Sequence, residues 1–193
     1  MAELGETQNP KELVPGDVGS VTSTMYAMRS YGDALHEAGA GLSRIDTQDG
    51  WQGQAGDQFR GRFHGEPKKW LDAGDCFHGA ANALDSYAST LQWAQGQAGD
   101  AITLWNDGQT ETANAKAAHD HAVAQAKQDA ADKTANGTPT TAPDIPFNDP
   151  GEAKREAARQ KLNSARSQLK STGDTAEKSR PSPQASPARR RTG

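Results

Sequence analysis

With 33% apolar and 6% aromatic side chains among its 193 residues, the chain cannot fill a thick globular core. Long helices carrying a narrow apolar stripe suit that composition better. No run of about 18 apolar residues occurs, which excludes a membrane-spanning helix, and a lone cysteine, Cys76, excludes an intramolecular disulfide. The net charge of −4 is unevenly spread. Residues 1–107 carry 15 acids and 7 bases, residues 108–175 carry 9 of each, and residues 176–193 carry 1 acid and 5 bases. An acidic body of this kind repels nucleic acid and anionic membrane, leaving only the short tail as an attractive patch. The first thirty residues show no basic region followed by an apolar core, so no cleaved signal peptide is expected and synthesis in the cytoplasm is.

Residues 1–16 read as an irregular arm that ends in the turn-forming Val14-Pro15-Gly16, after which Asp17 stands ready as a helix N-cap. Val18, Val21, Met25, Met28, Leu35, Leu42 and Ile45 then follow a heptad stripe, with Tyr31 or Gly32 and Ala38 or Gly39 filling the intervening turns. A first helix over Asp17–Ile45, about 40 Å long, is expected. The polar Asp46–Gly50 is a loop, and Gly53 supplies the backbone freedom for a reversal at Trp51-Gln52-Gly53.

A second helix is expected over Gln54–Asn106, disturbed at Gly65-Glu66-Pro67 because proline removes an amide donor and clashes one turn back. Its seam is written at intervals of seven as Phe63, Trp70, Phe77, Leu84, Leu91, Ala98 and Trp105. A second row of Ala73, Ala80, Tyr87, Ala94 and Ala101 runs beside it, and Phe59 and Ile102 extend the apolar set. Together these residues are the expected helix seam and interface, with Trp51 and Gly53 as the turn motif. Five glycines on the two helices (Gly32, Gly39, Gly74, Gly79 and Gly96) are expected to weaken them, at about 1 kcal/mol each relative to alanine. The fold class is therefore all-α, with residues 17–107 as a long antiparallel helical hairpin.

The remainder is polar. Residues 108–135 are rich in Ala, Gln, Asp and Lys and read as a polar helical extension; residues 136–149, with three prolines, read as a linker. A short helix over residues 150–173, carrying Ala153, Ala157, Ala158, Leu162, Ala165 and Leu169, precedes a disordered basic tail at 174–193.

No catalytic, cofactor-binding or metal-ligating constellation emerges. His64 and His78 lie about 21 Å apart along one helix, too far to share an ion. His119 and His121, and Cys76 and His78, are two residues apart and point to different helical faces. Gly39-Ala40-Gly41 sits inside a helix and lacks the preceding strand of a phosphate-binding turn. Cys76 reads as a small buried hydrophobe, and Asp72 and Asp75 as a solvated face. Arg189-Arg190-Arg191 has no interleaved aromatics, so only weak, salt-sensitive nucleic-acid contact would follow from it. No enzyme activity and no cofactor are expected.

The helix, the Trp51-x-Gly53 turn and the second long helix resemble the WXG-type hairpins of bacterial type VII secretion. The stretches Leu13–Asp17, Gly50–Gly53, Lys69–Leu71 and Trp93–Ala98, with Ile102 and Trp105, are similar to the type VII secretion signal domain at the N-terminus of polymorphic toxins. Phe147–Glu152 and Gly173–Ala176 resemble the linker that precedes such toxins' effector domains. The resemblance implies a secreted, non-enzymatic targeting module that pairs with another helical hairpin in a four-helix bundle and meets the type VII export ATPase. The family's Tyr-x-x-x-Asp/Glu export signal is missing in that form, since Ser30, Leu35 and Leu91 stand four residues after Tyr26, Tyr31 and Tyr87. A partner would then supply the signal. The alternative expectation is a stand-alone structural or chaperone-like homodimer.

Overall fold

The computed structural model describes residues 1–46 and 52–178. Their regular structure is helical: α1 (Pro10–Leu13), α2 (Val18–Asp46), α3 (Gln54–Phe63), α4 (Glu66–Ala135) and α5 (Glu152–Lys178). The chain forms two compact units, the first made of Met1–Gly16 and Gln92–Gln168, the second of Asp17–Leu91 and Leu169–Gly193. Helices α4 and α5 each contribute a segment to both.

In the second unit Asp17 caps α2 as its position suggests, its Oδ1 accepting from the Ser20 amide at 2.6 Å. The predicted disturbance falls where proline requires it: α3 stops at Phe63 and α4 starts at Glu66, with Pro67 in its first turn where no amide is needed. Gly53 precedes α3 at φ 98°, a left-handed conformation that favours glycine. Trp51, the other half of the turn motif, lies outside the described residues, as does most of the expected basic tail.

Helices α2 and α4 run antiparallel: Gly39 lies against Leu71 and Pro67, Gly32 against Gly74 and His78, and Arg29 reaches Asn82 at 3.2 Å. Met25, Gly32 and Gly39 on α2 and Pro67, Gly74, Ala81 and Ala88 on α4 are buried at intervals of seven. The period is the expected one, but the residues at the seam are small. Three glycines expected to weaken the helices are where the helices meet. A Cβ on Gly74 would sit 3.0 Å from the Gly32 carbonyl oxygen, and one on Gly39 would sit 3.1 Å from that of Pro67. Trp70 and Phe77 are thereby corrected from seam to flank. Each lies three or four residues from Gly74, a rotation of about 40–60° away from α2.

In the first unit the N-terminal arm is folded. Asn9 caps α1 by accepting from the Lys11 amide at 3.1 Å, and Leu13 and Val14 are fully buried. Arg166 of α5 fixes the arm by donating to the carbonyls of Leu13 at 3.1 Å and Ala2 at 2.7 Å and pairing with Glu3 at 3.1 Å. Gln95 of α4 donates to the carbonyls of Val14 at 3.1 Å and Gly16 at 2.9 Å. Buried Ala98, Ala101 and Ile102 on α4 and Ala158, Leu162 and Ala165 on α5 complete the core.

The polar stretch after Gly108 continues α4 without a break to Ala135. There Gly137, at φ 87°, ends it: the Thr138 amide donates to Lys133 O at 2.9 Å and the Gly137 amide to Thr134 O at 3.1 Å. Residues 138–149 are non-helical, yet they are tied along α4. His119 Nε2 donates to Ile145 O at 2.7 Å, the Phe147 ring packs edge-on to His119 at 5.4 Å, and Thr112 donates to Asp149 at 2.6 Å. This strap gives the alanine-rich part of α4 something to bury against. It delivers the chain to α5, which runs to Lys178 rather than stopping at Gly173.

Candidate functional site

Around the α2–α4 seam, residues at about 100° steps fall on two flanks. One flank carries Met28, Tyr31, Leu35 and Leu42 from α2 and Trp70, Phe77 and Leu84 from α4. Antiparallel pairing places these rows on the same side, and the Tyr31 and Phe77 rings lie 6.0 Å apart. They are poorly covered: Trp70 is 41% exposed, Phe77 37% and Tyr31 64%. Three aromatic side chains on one side of a helix pair, with few charges among them, form an apolar surface of the kind that marks a contact site.

The other flank is polar. Arg29 donates to Asn82 there, and two imidazoles occupy the space left by glycines on the opposite helix. His36 of α2 packs on Gly74 and His78 of α4 on Gly32, with ring centroids 4.9 Å apart. His36 Nε2 lies 3.1 Å from Leu71 O and 3.0 Å from Asp75 Oδ1. Both partners only accept, so Nε2 carries the hydrogen. His78 Nε2 is 3.0 Å from Asp33 Oδ1 but poorly aligned with it, and the nitrogen is buried with no well-formed hydrogen bond. Asp75 thus pairs across the seam, whereas Asp72 pairs along its own helix with Lys68 at 2.6 Å. Among the described residues, no three His, Cys, Asp or Glu side chains converge as metal ligands.

The remaining seam residues divide by location. Phe59 and Phe63 stack on each other on α3 at 4.9 Å, both half-buried. Leu84 and Tyr87 are half-buried, Tyr87 lying against Gly173 of α5 in the second unit. Leu91 and Ala98 are fully buried and Ile102 nearly so. Trp105 is half-buried in the first unit, with Gly5 against its indole and the Arg159 guanidinium 5.7 Å from its ring. The large-residue row is therefore one stripe with two fates: core towards its C-terminal end, open flank at Trp70 and Phe77.

In the first unit one charged side chain, Arg155, is buried at the centre of a more exposed cluster. Arg155 donates to the Gly108 carbonyl and Thr112 and pairs with Asp149 at 2.6 Å and Glu152 at 2.5 Å. The Thr112 hydroxyl and then the Arg155 guanidinium hold the Asp149 carboxyl below the usual carboxylate range. Hydrogen bonds from Arg155 and then Arg159 do the same for Glu152. This cluster seats the start of α5 on α4, where Gly151 and Gly108 touch backbone to backbone. Its signal in the sequence is local, Asp149-Pro150 followed two residues on by Glu152, a helix start.

The observed elements define a helical module with an open aromatic flank at Tyr31, Trp70 and Phe77. No described helix is long and apolar enough to cross a membrane. The chain belongs to the family described as "Putative T7SS secretion signal domain", whose family model matches residues 2–188. It is a type VII secretion-related module. No curated protein and no solved structure matches it.

Proposed function

We propose that the chain is a non-enzymatic delivery module, equivalent to the front part of a type VII-secreted polymorphic toxin, that docks a second helical hairpin. The docking surface is the flank carrying Tyr31, Trp70 and Phe77, and the product is a four-helix bundle. Export follows without a cleaved signal peptide. Because this chain lacks the Tyr-x-x-x-Asp/Glu pattern, the partner presents the signal to the export ATPase. The observation that carries the proposal is the exposure of Trp70 and Phe77 beside a seam whose buried α4 residues facing α2 are small, Gly74, Ala81 and Ala88. Indoles and phenyl rings left half in water are the residues that dominate contact energies once covered.

The test is co-expression with small helical-hairpin proteins encoded beside this chain, followed by pull-down and a secretion assay. Wild-type chain is expected to capture one of them and to reach the medium. The double variant Trp70→Ser, Phe77→Ser should fold as well and lose capture. Failure of the wild type to bind any of them, together with retention in cells with a working secretion system, overturns the proposal. Light scattering on purified chain decides the homodimer alternative: a stable dimer that W70S/F77S dissociates would replace the foreign partner with a second copy.

A further inference from the structure

Residues 138–149 follow the polar end of α4 as an open line rather than a folded loop. Two anchors mark the span. The Thr140 amide donates to the Thr134 hydroxyl at 3.1 Å, and the Thr112 hydroxyl donates to the Asp149 carboxylate at 2.6 Å. From Thr112 to Thr134 the helix rises roughly 33 Å. The chain from Thr140 to Asp149 reaches at most about 30–32 Å when fully extended. Side chains at the two ends make up the small remainder, so the strap has no slack. Its composition suits that state, because Pro139, Pro143 and Pro146 hold extended φ values and bring no amide that needs a partner. We propose that this taut strap and the end of α4 beneath it, residues 113–149, form a clasp that opens and closes as one unit while the core of the first unit stays folded.

Cooperativity follows from how little either part buries alone. Between Ala113 and Ala135 the largest aliphatic side chain is Val123. Ala115, His119, Val123 and Ala126 are half-buried and Ala130 is 7% exposed, all at steps of three or four residues along one side of the helix. The opposite side, with Ala117, Ala124 and Ala131, is exposed. A helix that buries a few alanines gains little from packing and is marginal in water on its own. The strap has neither helix nor sheet to hold it. It is gripped in mid-span by His119, whose Nε2 donates to Ile145 O at 2.7 Å, with the Phe147 ring edge-on to the imidazole at 5.4 Å. Loss of either part uncovers the other, which is the condition for opening as a unit. Towards Gly108 the pairing is of another kind: Ile102, Ala158, Leu162 and Ala165 are buried, and Arg155 ties α5 to the Gly108 carbonyl. The boundary of the clasp therefore falls at Thr112.

Tautness makes the clasp asymmetric towards changes of length. One residue fewer shortens its reach by about 3.3–3.6 Å, so one anchor must let go. One residue more adds slack at a small entropic cost. A slack linker would accept both changes alike. Opening turns the clasp into a loop of exposed chain whose ends stay fixed by α4 on one side and by Arg155 on the other, the form in which a protease first nicks a folded protein. The clasp is independent of the docking flank, which lies in the second unit.

The experiment is amide hydrogen exchange of the full chain, followed residue by residue by NMR. Wild type is compared with His119→Ala, with deletion of Thr141 and with insertion of one glycine after Thr141. Wild-type amides from Ala118 to Ala130 are expected to share one protection factor, about 100-fold below those of Leu162 and Ala165. H119A should lower that shared value about five- to tenfold, the size of one lost hydrogen bond, and leave Leu162 and Ala165 unchanged. The deletion should lower it at least as much, whereas the insertion should stay within about twofold of wild type. Thermolysin cleavage beside Ile145 or Phe147 gives a second readout that needs no variant: the two fragments should co-elute, because α5 stays bound through Arg155 and Leu162. Amides of the clasp as protected as Leu162, protection that falls steadily towards Ala135, no response to H119A, equal effects of deletion and insertion, or fragments that separate after cutting would each overturn the clasp.

Discussion

Gly74→Ala sets two well-known effects against each other on one atom. Replacing a mid-helix glycine by alanine stabilises a helix by about 1 kcal/mol. At Gly74 the new Cβ would lie 3.0 Å from the backbone oxygen of Gly32 and would run into the His36 ring. The backbone cannot swing aside without parting α2 from α4, so the ring must move. It then gives up its contacts with Leu71 O at 3.1 Å and Asp75 at 3.0 Å. Overpacking costs about 1–3 kcal/mol and each forfeited hydrogen bond about 0.5–1.5 kcal/mol. The losses exceed the helix gain, leaving a net destabilisation of about 2 kcal/mol, or a Tm lower by about 4–8 °C for a chain of this size. Gly79→Ala, on the same helix with nothing within 4 Å of the added atom, is the internal control. It should raise Tm by about 2–4 °C, the helix-propensity gain alone. Thermal unfolding at 222 nm measures both. If G74A raises Tm as G79A does, the glycine seam is not the contact that holds the second unit together.

Three further perturbations probe other parts of the chain. Arg166→Met should release the N-terminal arm at a cost of about 2–3 kcal/mol, seen as faster amide hydrogen exchange at Leu13 and Val14 with little change at Gly74. Asp149→Asn should loosen the start of α5 already at neutral pH. In wild type the carboxyl is held below its usual range, so its contribution is complete above ordinary carboxylate titration and fades only as pH falls through the depressed value. A Tm profile from pH 7 to 3 should therefore lose part of its acid limb in D149N, and an unchanged limb would argue against Asp149 as the titrating group. Phe77→Ala should cost about 1–2 kcal/mol, below the roughly 3–5 kcal/mol of a fully buried ring, because 37% of the residue is already in water, while Ala81→Leu, at a fully buried seam position, should cost about 1–3 kcal/mol. A cost of about 3 kcal/mol or more for F77A would restore Phe77 to the seam.

Much of the helical architecture was legible because hydrophobic period and helix-stop chemistry are local properties. The cap at Asp17, the break before Pro67 and the stop near Asn136-Gly137 each follow from one or two residues. Missed features depend on what lies across space. The arm looked irregular because its order comes from Arg166, some 150 residues away in sequence. The strap looked like a free linker because His119 and Thr112, which hold it, are unremarkable within their own helix. The His36–His78 pairing was hidden for the same reason, since the rings come together only after antiparallel pairing brings Gly32 and Gly74 into contact. Which of two adjacent heptad rows would face inward was also undecided by period alone. Both rows repeat every seven residues, and periodicity reports spacing but not phase.

Phase is where this chain's packing and its proposed function meet. A seam of large side chains would have held α2 and α4 further apart and hidden Trp70 and Phe77 from any partner. A seam of glycine and alanine lets the helices close by small-residue contact, and large residues one step round the helix are then left on the flank. Reciprocal contacts across the seam, His36 on Gly74 and His78 on Gly32, help to fix the two helices in register. Further along α4 the same row of seven buries Leu91 and Ala98. The sequence thus uses one heptad row twice, for core at one end and for an open aromatic flank at the other. On this argument, covering Trp70 and Phe77 by a partner completes packing that the chain leaves unfinished, and binding and stability of the second unit should rise together.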